Sequence, residues 1–155
     1  MLQLPTSEYL VAQLAARGIA LPPGPVGVSG FGDSAQLSAE LIGLILNGSK
    51  RATSALLWSY QADGEALPRV GNLEIVVDHC NQAVCVTRVT SVTVMPFDRV
   101  DARHAALEGE GDLSLAWWRV AHDRFFTREC RRLGCTPTDD MPVVWYEFEV
   151  IVALG

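Results

Sequence analysis

The segment Leu73-Glu74-Ile75-Val76-Val77-Asp78 decides the fold, because it is the first half of the strongest strand pair in the chain. A turn follows at Asn81-Gln82, and the stretch from Val84 to Met95 then places β-branched residues at almost every second position, until Pro96 ends it. This alternation predicts two strands joined by a hairpin turn. Because the second strand is long, it must bend or bulge, which favours a small barrel over a flat sheet.

Further strands and helices surround this pair. Val26 to Phe31 predicts a short strand, and Val143 to Val152 predicts the strand that closes the barrel. Apolar spacing predicts helices over residues 7–17, 34–47, 102–107 and 113–133. The fold class is therefore α+β, a small β-barrel with flanking helices. We expect residues 1–25 to form an N-terminal helix and a Pro-rich linker, and residues 26–155 to form the domain.

Several polar and aromatic residues have structural interpretations. Asp33 and Asp112 each precede a predicted helix and are expected to cap it. Trp58 and Tyr60 alternate in a segment rich in β-formers, so we expect them to share one face of an extended stretch. There they either stack on a base or pack in the core or in a hairpin. In the last helix the predicted buried stripe comprises Leu115, Trp118, His122, Phe125 and Phe126. His122 is accordingly interpreted as a packed histidine, and the arginines of the last turns are explained by the helix dipole.

Composition limits the classes of function. The chain has 155 residues and a net charge of -6, which argues against coating long duplex nucleic acid and favours a nucleotide-sized or single-stranded ligand. No run of about 18 apolar residues occurs and no basic region precedes an apolar one at the start, so we expect no membrane association and a cytoplasmic location.

The loop Gly48-Ser49-Lys50-Arg51-Ala52-Thr53-Ser54 places two cations and three hydroxyls directly behind a predicted helix. Lys50 is the sole lysine in the chain, whereas eleven residues are arginine. Lysine is a compact point charge whose pKa responds to burial, as a catalytic base or oxyanion partner requires. The alternative is that one lysine persists by chance in an arginine-rich composition.

The four cysteines form two C-x4-C pairs, Cys80 with Cys85 and Cys130 with Cys135. Structural zinc sites bring ligands two to four residues apart on tight turns, which this spacing does not match. Reduced thiols are therefore favoured over zinc, and we predict no metal site and no cofactor.

Taken together, these motifs resemble the ASCH family, in the longer form of its domain. The resemblance covers residues 28–152 and rests on Phe31-Gly32-Asp33, the Lys50 loop, Leu67-Pro68 with Gly71, Pro96-Phe97, Glu108-Gly109-Glu110-Gly111-Asp112 with Leu113-Ser114-Leu115, and Trp118-Arg119 with His122 and Phe125-Phe126. It implies a mixed β-barrel of PUA-like type and an RNA-related role. Some relatives are similar to amidohydrolases that remove an acyl group from the exocyclic amine of cytidine, and others are similar to ribonucleases acting on single-stranded RNA.

The resemblance also implies site residues. The K-x-x-T motif of the amidohydrolase relatives falls on Lys50 and Thr53, and Glu108, chosen over Glu110, takes the place of the motif's glutamate. The predicted substrate-binding residues are Arg51, Ser54, Trp58, Tyr60, Glu110, Asp112, Trp118 and Arg119. We expect the Lys50 loop and the Glu108 to Asp112 loop to wall one cleft.

Three functional hypotheses follow. Thr53, Lys50 and Glu108 would supply a nucleophile, an oxyanion donor and an acid for metal-independent amide hydrolysis, and with Arg51 the same residues suit RNA cleavage. The alternatives are a non-catalytic module that binds RNA or a nucleotide, and a domain that acts through protein contacts. The expected partner is RNA or a nucleoside. Sequence does not decide between monomer and dimer.

Overall fold

A computed structural model describes residues 3–154, which form five strands and five α-helices. The elements are α1 (Ser7–Ala16), β1 (Val26–Gly30), α2 (Ala35–Leu46), β2 (Ala52–Leu56), α3 (Leu57–Asp63), β3 (Leu73–Val77), β4 (Ala83–Pro96), a short 3₁₀ helix (Phe97–Arg99), α4 (Ala102–Glu108), α5 (Leu115–Leu133) and β5 (Pro142–Ala153). The strands form one sheet in the order β1-β3-β4-β5-β2. β1 runs parallel to β3, and β3 and β2 run antiparallel to β4 and β5 respectively. The predicted α+β class with a mixed sheet is confirmed.

The chain divides into two compact units. The first consists of residues 1–48, 70–90 and 148–155. Its β3 and β4 form the predicted hairpin, with a register shift between Val76 and Val77 that marks a bulge. Its core is formed by Leu10, Leu14, Leu73, Ile75, Val77 and Val86. Helix α1 is therefore held by the burial of Leu10 and Leu14, which lie four residues apart on the same side of the helix.

The second unit consists of residues 49–69 and 91–147. In it β2 pairs with β5 so that Ser54 lies opposite Trp145 and Thr53 lies opposite Tyr146. Its core is formed by Ala52, Leu56, Met95, Phe97, Val100, Ala105, Trp118, Phe126, Cys130, Met141, Val143 and Trp145. This unit contains both Lys50 and the loop from Glu108 to Asp112.

The segment predicted to be extended through Trp58 and Tyr60 is helical from Leu57 to Asp63, so that prediction is wrong. Gly64, at φ 65°, ends the helix in the left-handed conformation that glycine adopts without strain. Residues two apart on a helix do not share a face, so Trp58 and Tyr60 do not form the predicted platform. Partly buried Trp58 packs against the core of the second unit, which agrees with the core alternative.

Two helix caps also differ from the prediction by one or two residues. Ser34, and not Asp33, caps α2 by accepting a hydrogen bond from the Leu37 N–H. Ser114, and not Asp112, caps α5, while Asp112 Oδ1 accepts from the Ser114 N–H. In both cases serine was adjacent to, or near, the predicted aspartate and is an equally good cap.

Within the described residues, none of the helices is both long enough and apolar enough to cross a membrane. The division into residues 1–25 and 26–155 stays a prediction, and its ends at residues 1–2 and 155 lie outside the described part of the chain.

Candidate functional site

Lys50 is buried at the start of the second unit, with 2% of its surface exposed. Its Nζ donates to Ala52 O at 2.8 Å, to Glu108 O at 3.3 Å and to Glu110 Oε2 at 2.8 Å. An ammonium has three protons, and three acceptors surround this one. The predicted proximity of Lys50 to a carboxylate of the 108–112 loop is confirmed, and the shortest contact is to Glu110, since Glu108 Oε1 lies 3.9 Å away.

Close backbone packing positions this loop. Gly109 ends α4 at φ 74°, and a Cβ there would lie 2.3 Å from Ser49 O and 2.9 Å from Lys50 Cα. The Arg51 N–H donates to Leu107 O at 2.8 Å, which fixes the same two segments together. Glycine is thus required at position 109 both for its backbone angle and for the approach that brings Lys50 to the Glu108 carbonyl.

The Glu108 carboxylate is 1% exposed and has polar partners on both oxygens. Oε2 accepts from Trp118 Nε1 at 2.6 Å and from Ser54 Oγ at 3.0 Å, and Oε1 lies 3.3 Å from His122 Nε2. Burial alone would raise the pKa of this carboxyl, but the hydrogen bond from His122 and the charges of Lys50 and His122, helped by Trp118, outweigh burial and lower the pKa. Glu108 is therefore ionised at neutral pH. An ionised carboxylate can accept a proton but has none to donate, so this state suits a base and not the acid expected from the sequence.

His122 lies flat against Trp118, with ring centroids 4.1 Å apart and planes 13° apart. Its Nδ1 is 2.9 Å from Trp118 O, a carbonyl that only accepts, and its Nε2 faces the ionised Glu108. Each ring nitrogen therefore has one acceptor beside it. The prediction of a packed histidine beside aromatics is confirmed, and the structure adds its polar contact with Glu108.

Ser54 and Thr53 point to opposite faces of β2, because side chains alternate along a strand. Ser54 contacts Glu108 and lies opposite Trp145, a core residue of this unit. Thr53 lies opposite Tyr146 and shares the other face with it. The hydroxyl that meets the predicted catalytic glutamate is therefore that of Ser54, and not that of the threonine in the K-x-x-T motif.

The network approaches solvent at Glu110, whose side chain is 18% exposed. The next residue, Gly111, has φ 61°, and a Cβ there would lie 2.2 Å from ring carbons of Trp117. The Trp117 ring therefore packs on the backbone of the loop that carries Glu110, with 37% of its surface exposed. The same loop thus carries an oriented carboxylate at Glu110 and, one residue later, packs against an exposed aromatic ring.

The other residues predicted to bind substrate are partly engaged in the fold. Trp118 is buried and its Nε1 donates to Glu108, so its ring is not exposed to a ligand. Arg119 donates to Val100 O at 3.2 Å and to Asp98 O at 3.5 Å, while its buried Nε has no partner in the described structure. Arg51 is exposed on the Lys50 loop. Asp112 is exposed and used by the turn before α5.

Sequence reasoning missed Trp117, although the signal was present. Trp118 follows Leu115 and precedes His122 and Phe126 on the buried stripe, so its neighbour Trp117 must point elsewhere on the helix. Phe125 was predicted to be buried and is 44% exposed, which corrects the stripe at that position. The buried residues of α5 are Trp118, His122, Phe126 and Cys130.

Glu108, Glu110 and His122 offer ligand atoms that lie within 4.8 Å of one another, a spacing that a metal ion accepts. The Lys50 ammonium already lies 2.8 Å from the Glu110 oxygen and 3.9 Å from that of Glu108. A divalent cation would have to displace this charge or coexist with it at short range, which Coulomb repulsion in a buried site opposes. The donor set fits a metal poorly while Lys50 remains there.

The cysteines show no zinc arrangement among residues 3–154, since the group of potential metal ligands contains none of them. All four are free thiols, and Cys85 and Cys130 are buried. Burial raises the pKa of each of these two thiols to about 11, and contact with Cys135 adds to the effect at Cys130. Neither is a ready thiolate nucleophile.

Comparisons with known proteins agree with the geometry of the fold. A family model described as ASCH domain matches residues 27–152. The chain is similar to the crystal structure of an ASCH domain from Lactobacillus crispatus JV V101, with a TM-score of 0.84 and 33% identity over 95% of this chain and 96% of that one. It is also similar to protein EF3133 from Enterococcus faecalis V583, with a TM-score of 0.78 and 29% identity over 96% and 88% of the two chains.

A third structure, the hypothetical protein PH0355, has a TM-score of 0.51 and 18% identity over 81% of this chain and 99% of that one, and shows a shared fold alone. A search of the curated proteins found no significant match.

Proposed function

The chain belongs to the ASCH domain family, a PUA-like family generally associated with RNA binding, and from this premise we propose that it binds unpaired bases of single-stranded RNA beside Glu110 and Trp117. The observation that carries the proposal is the 2.8 Å contact of Lys50 Nζ with Glu110 Oε2. It fixes a carboxylate, backed by a buried ammonium, at a point that solvent reaches.

Each of the two residues supplies one part of base recognition. A fixed carboxylate accepts hydrogen bonds from an exocyclic amine, as glutamate and aspartate do with cytosine N4. An exposed indole stacks on a base, which typically contributes about 1 to 3 kcal/mol per base. Gly111 joins the two, because its missing side chain lets the Trp117 ring rest on the loop directly after Glu110. Bases with an exocyclic amine, above all cytosine, are the expected ligands.

The test is calorimetric titration of the protein with cytidine and uridine monophosphates. Cytidine monophosphate should bind more tightly than uridine monophosphate, Glu110→Gln should remove this difference, and Trp117→Ala should weaken binding of both. Tyr9→Ala is the matched control, since Tyr9 is an aromatic residue of α1 that is 56% exposed. Equal binding of both nucleotides by wild type, or unchanged binding by Trp117→Ala, would refute the base site.

Hydrolysis is a second candidate function, on an N4-acylcytidine or on single-stranded RNA. The observation that favours it is the 3.0 Å hydrogen bond from Ser54 Oγ to the ionised Glu108, an arrangement in which a base activates a hydroxyl. A substrate oxygen that replaced Glu110 at Lys50 would receive one of its N–H donors. In this proposal Ser54 takes the nucleophile role that the K-x-x-T motif assigns to Thr53.

Turnover separates the two candidates. The protein is incubated with an N4-acylcytidine panel and then with single-stranded RNA, with and without EDTA. Turnover of either substrate that Ser54→Ala abolishes and Thr53→Ala preserves would establish the hydrolase, and the reverse pattern would return the nucleophile role to Thr53. If neither substrate is consumed, only the binding function stands. For both candidate functions, binding and hydrolysis, we propose the cytoplasmic location that the sequence predicts.

A further inference from the structure

Helix α5 has a charge opposite to that of the chain as a whole. Five of the eleven arginines lie between Leu115 and Leu133, against two acidic residues, Asp123 and Glu129. The complete chain has a net charge of -6. Basic side chains are thus concentrated on one helix of an acidic protein, and such a concentration of charge is typical of a surface that binds an anionic partner.

The solvent-facing side of α5 carries a regular row of residues. Trp117, Arg124 and Arg131 are exposed and follow one another at intervals of seven, opposite the buried side at Trp118, His122 and Phe126. Seven residues make almost two full turns, so the three side chains lie nearly in line at intervals of about 10 Å. Exposed Val120 lies on the same side. We call these four residues, Trp117, Val120, Arg124 and Arg131, the arginine face.

The arginines of this face are not used by the fold. Arg132, on the neighbouring side, forms ion pairs with Asp63 and Glu129. Among residues 3–154, no hydrogen bond or ion pair involves the side chains of Arg124 or Arg131. The helix dipole favours cations only in the last turn, which explains Arg131 but not Arg124 in the middle of the helix.

We propose that the arginine face of α5 is the track for the phosphates of single-stranded RNA, leading away from the base site at Trp117. This rests on the proposed function, which it extends from one base to a longer strand. Aligned guanidinium groups match a phosphate backbone in charge and bind its oxygens bidentately. An aromatic ring at one end of a basic row is the combination used by sequence-tolerant single-strand binders.

The test compares a ligand that needs the track with one that does not. Binding of a fluorescein-labelled single-stranded RNA 12-mer is measured by anisotropy between 50 and 200 mM KCl, and binding of cytidine monophosphate by calorimetry. The variant is the double substitution Arg124→Gln with Arg131→Gln. Arg17→Gln is the control for a single lost guanidinium, since Arg17 is an exposed residue at the end of α1 and outside the arginine face.

We expect the double variant to bind the 12-mer more weakly, with a dependence of log K on log salt that is shallower by about 1.4, or about 0.7 for each lost phosphate contact. Its binding of cytidine monophosphate and its circular dichroism should match wild type, and Arg17→Gln should change none of these quantities. An unchanged salt slope in the double variant, with mononucleotide binding intact, would overturn the track and leave the base site standing.

Two further outcomes would also overturn the inference. If wild type binds neither the 12-mer nor the mononucleotide, the proposed function fails and the track fails with it. If sedimentation shows a dimer that the double variant dissociates, this face of α5 is an interface between two copies of the chain and not an RNA surface.

Discussion

Trp118 Nε1 donates a hydrogen bond to Glu108 Oε2 at 2.6 Å, and each of these residues is 1% exposed. The bond joins the last residue of α4 to the buried side of α5. Ser54 adds a donor to the same oxygen from β2, and Lys50 adds charge from the loop before it. A buried carboxylate that draws donors from several segments fixes their relative positions, because each lost donor leaves a charge unsatisfied.

Glu108→Gln should lower stability in a pH-dependent way. The pKa of Glu108 is lower in the folded protein than its ordinary value of 4.5. The ionised carboxylate therefore contributes fully to the free energy of unfolding above pH 4.5, and this contribution is lost as pH falls through the folded pKa. We expect wild type to exceed the variant by about 3 to 5 kcal/mol in the free energy of unfolding at pH 7. Urea unfolding at pH 7, 5, 4 and 3 should show this gap shrinking below pH 4.5.

The control for that series is Glu149→Gln, which removes one partner of the exposed ion pair with Arg88. Exposed pairs contribute about 0 to 1 kcal/mol, so this change should be small at every pH. A gap between wild type and Glu108→Gln that stays constant from pH 7 to pH 3 would contradict the lowered pKa.

Gly109→Ala should destabilise the protein more than Gly134→Ala, although both glycines end a helix at φ 74°. The left-handed angle costs each alanine about 1 to 2 kcal/mol. At position 134 the added Cβ meets nothing within 4 Å, whereas at 109 it meets backbone atoms of Ser49 and Lys50. Overpacking should add about 1 to 3 kcal/mol at 109.

The measurement is urea unfolding of both glycine variants. Equal losses of unfolding free energy in the two variants would mean that the Lys50 loop moves away from Gly109 without cost. The contact between Gly109 and the backbone of Ser49 and Lys50 would then not hold the two segments together.

Much of the fold was predictable because hydrophobic periodicity is local information. The hairpin of β3 and β4 and the long helix α5 each follow from their own residues. Helix α3 was not predicted, because its aromatic residues favour strands and tertiary packing overrides such weak preferences. Gly64 was the one local sign of its end.

The site was only partly predictable, for a different reason. Lys50 could be identified by composition, as the sole lysine of the chain. Its contact with Glu110 joins residues 60 positions apart, which no local pattern encodes. The choice of Ser54 over Thr53 depends on which face of β2 meets α5, and a shift of one residue reverses it.

Lys50→Ala should create a metal site that wild type lacks. The substitution removes the ammonium from among Glu108, Glu110 and His122, whose ligand atoms lie within 4.8 Å of one another. Two carboxylates and an imidazole suit Mn²⁺. Calorimetric titration with Mn²⁺ should therefore detect binding to Lys50→Ala and none at this cluster in wild type.

The control is the double variant Lys50→Ala with His122→Ala, which should lose the acquired Mn²⁺ affinity. EDTA should leave the melting temperature of wild type unchanged. Mn²⁺ binding by wild type that His122→Ala removes would show that the ammonium does not exclude the metal.

Lys50→Arg should damage the protein nearly as much as Lys50→Ala, although it preserves the charge. The three protons of Lys50 meet Ala52 O, Glu108 O and Glu110 Oε2 in a pocket where the residue is 2% exposed. A guanidinium is longer and planar, so it would overpack this pocket and misplace its donors, and Glu110 would lose its orientation. Urea unfolding and titration with cytidine monophosphate measure the two effects on wild type and both variants. If Lys50 contributed only positive charge, arginine would serve as well, and a Lys50→Arg protein with wild-type stability and nucleotide preference would establish that simpler role.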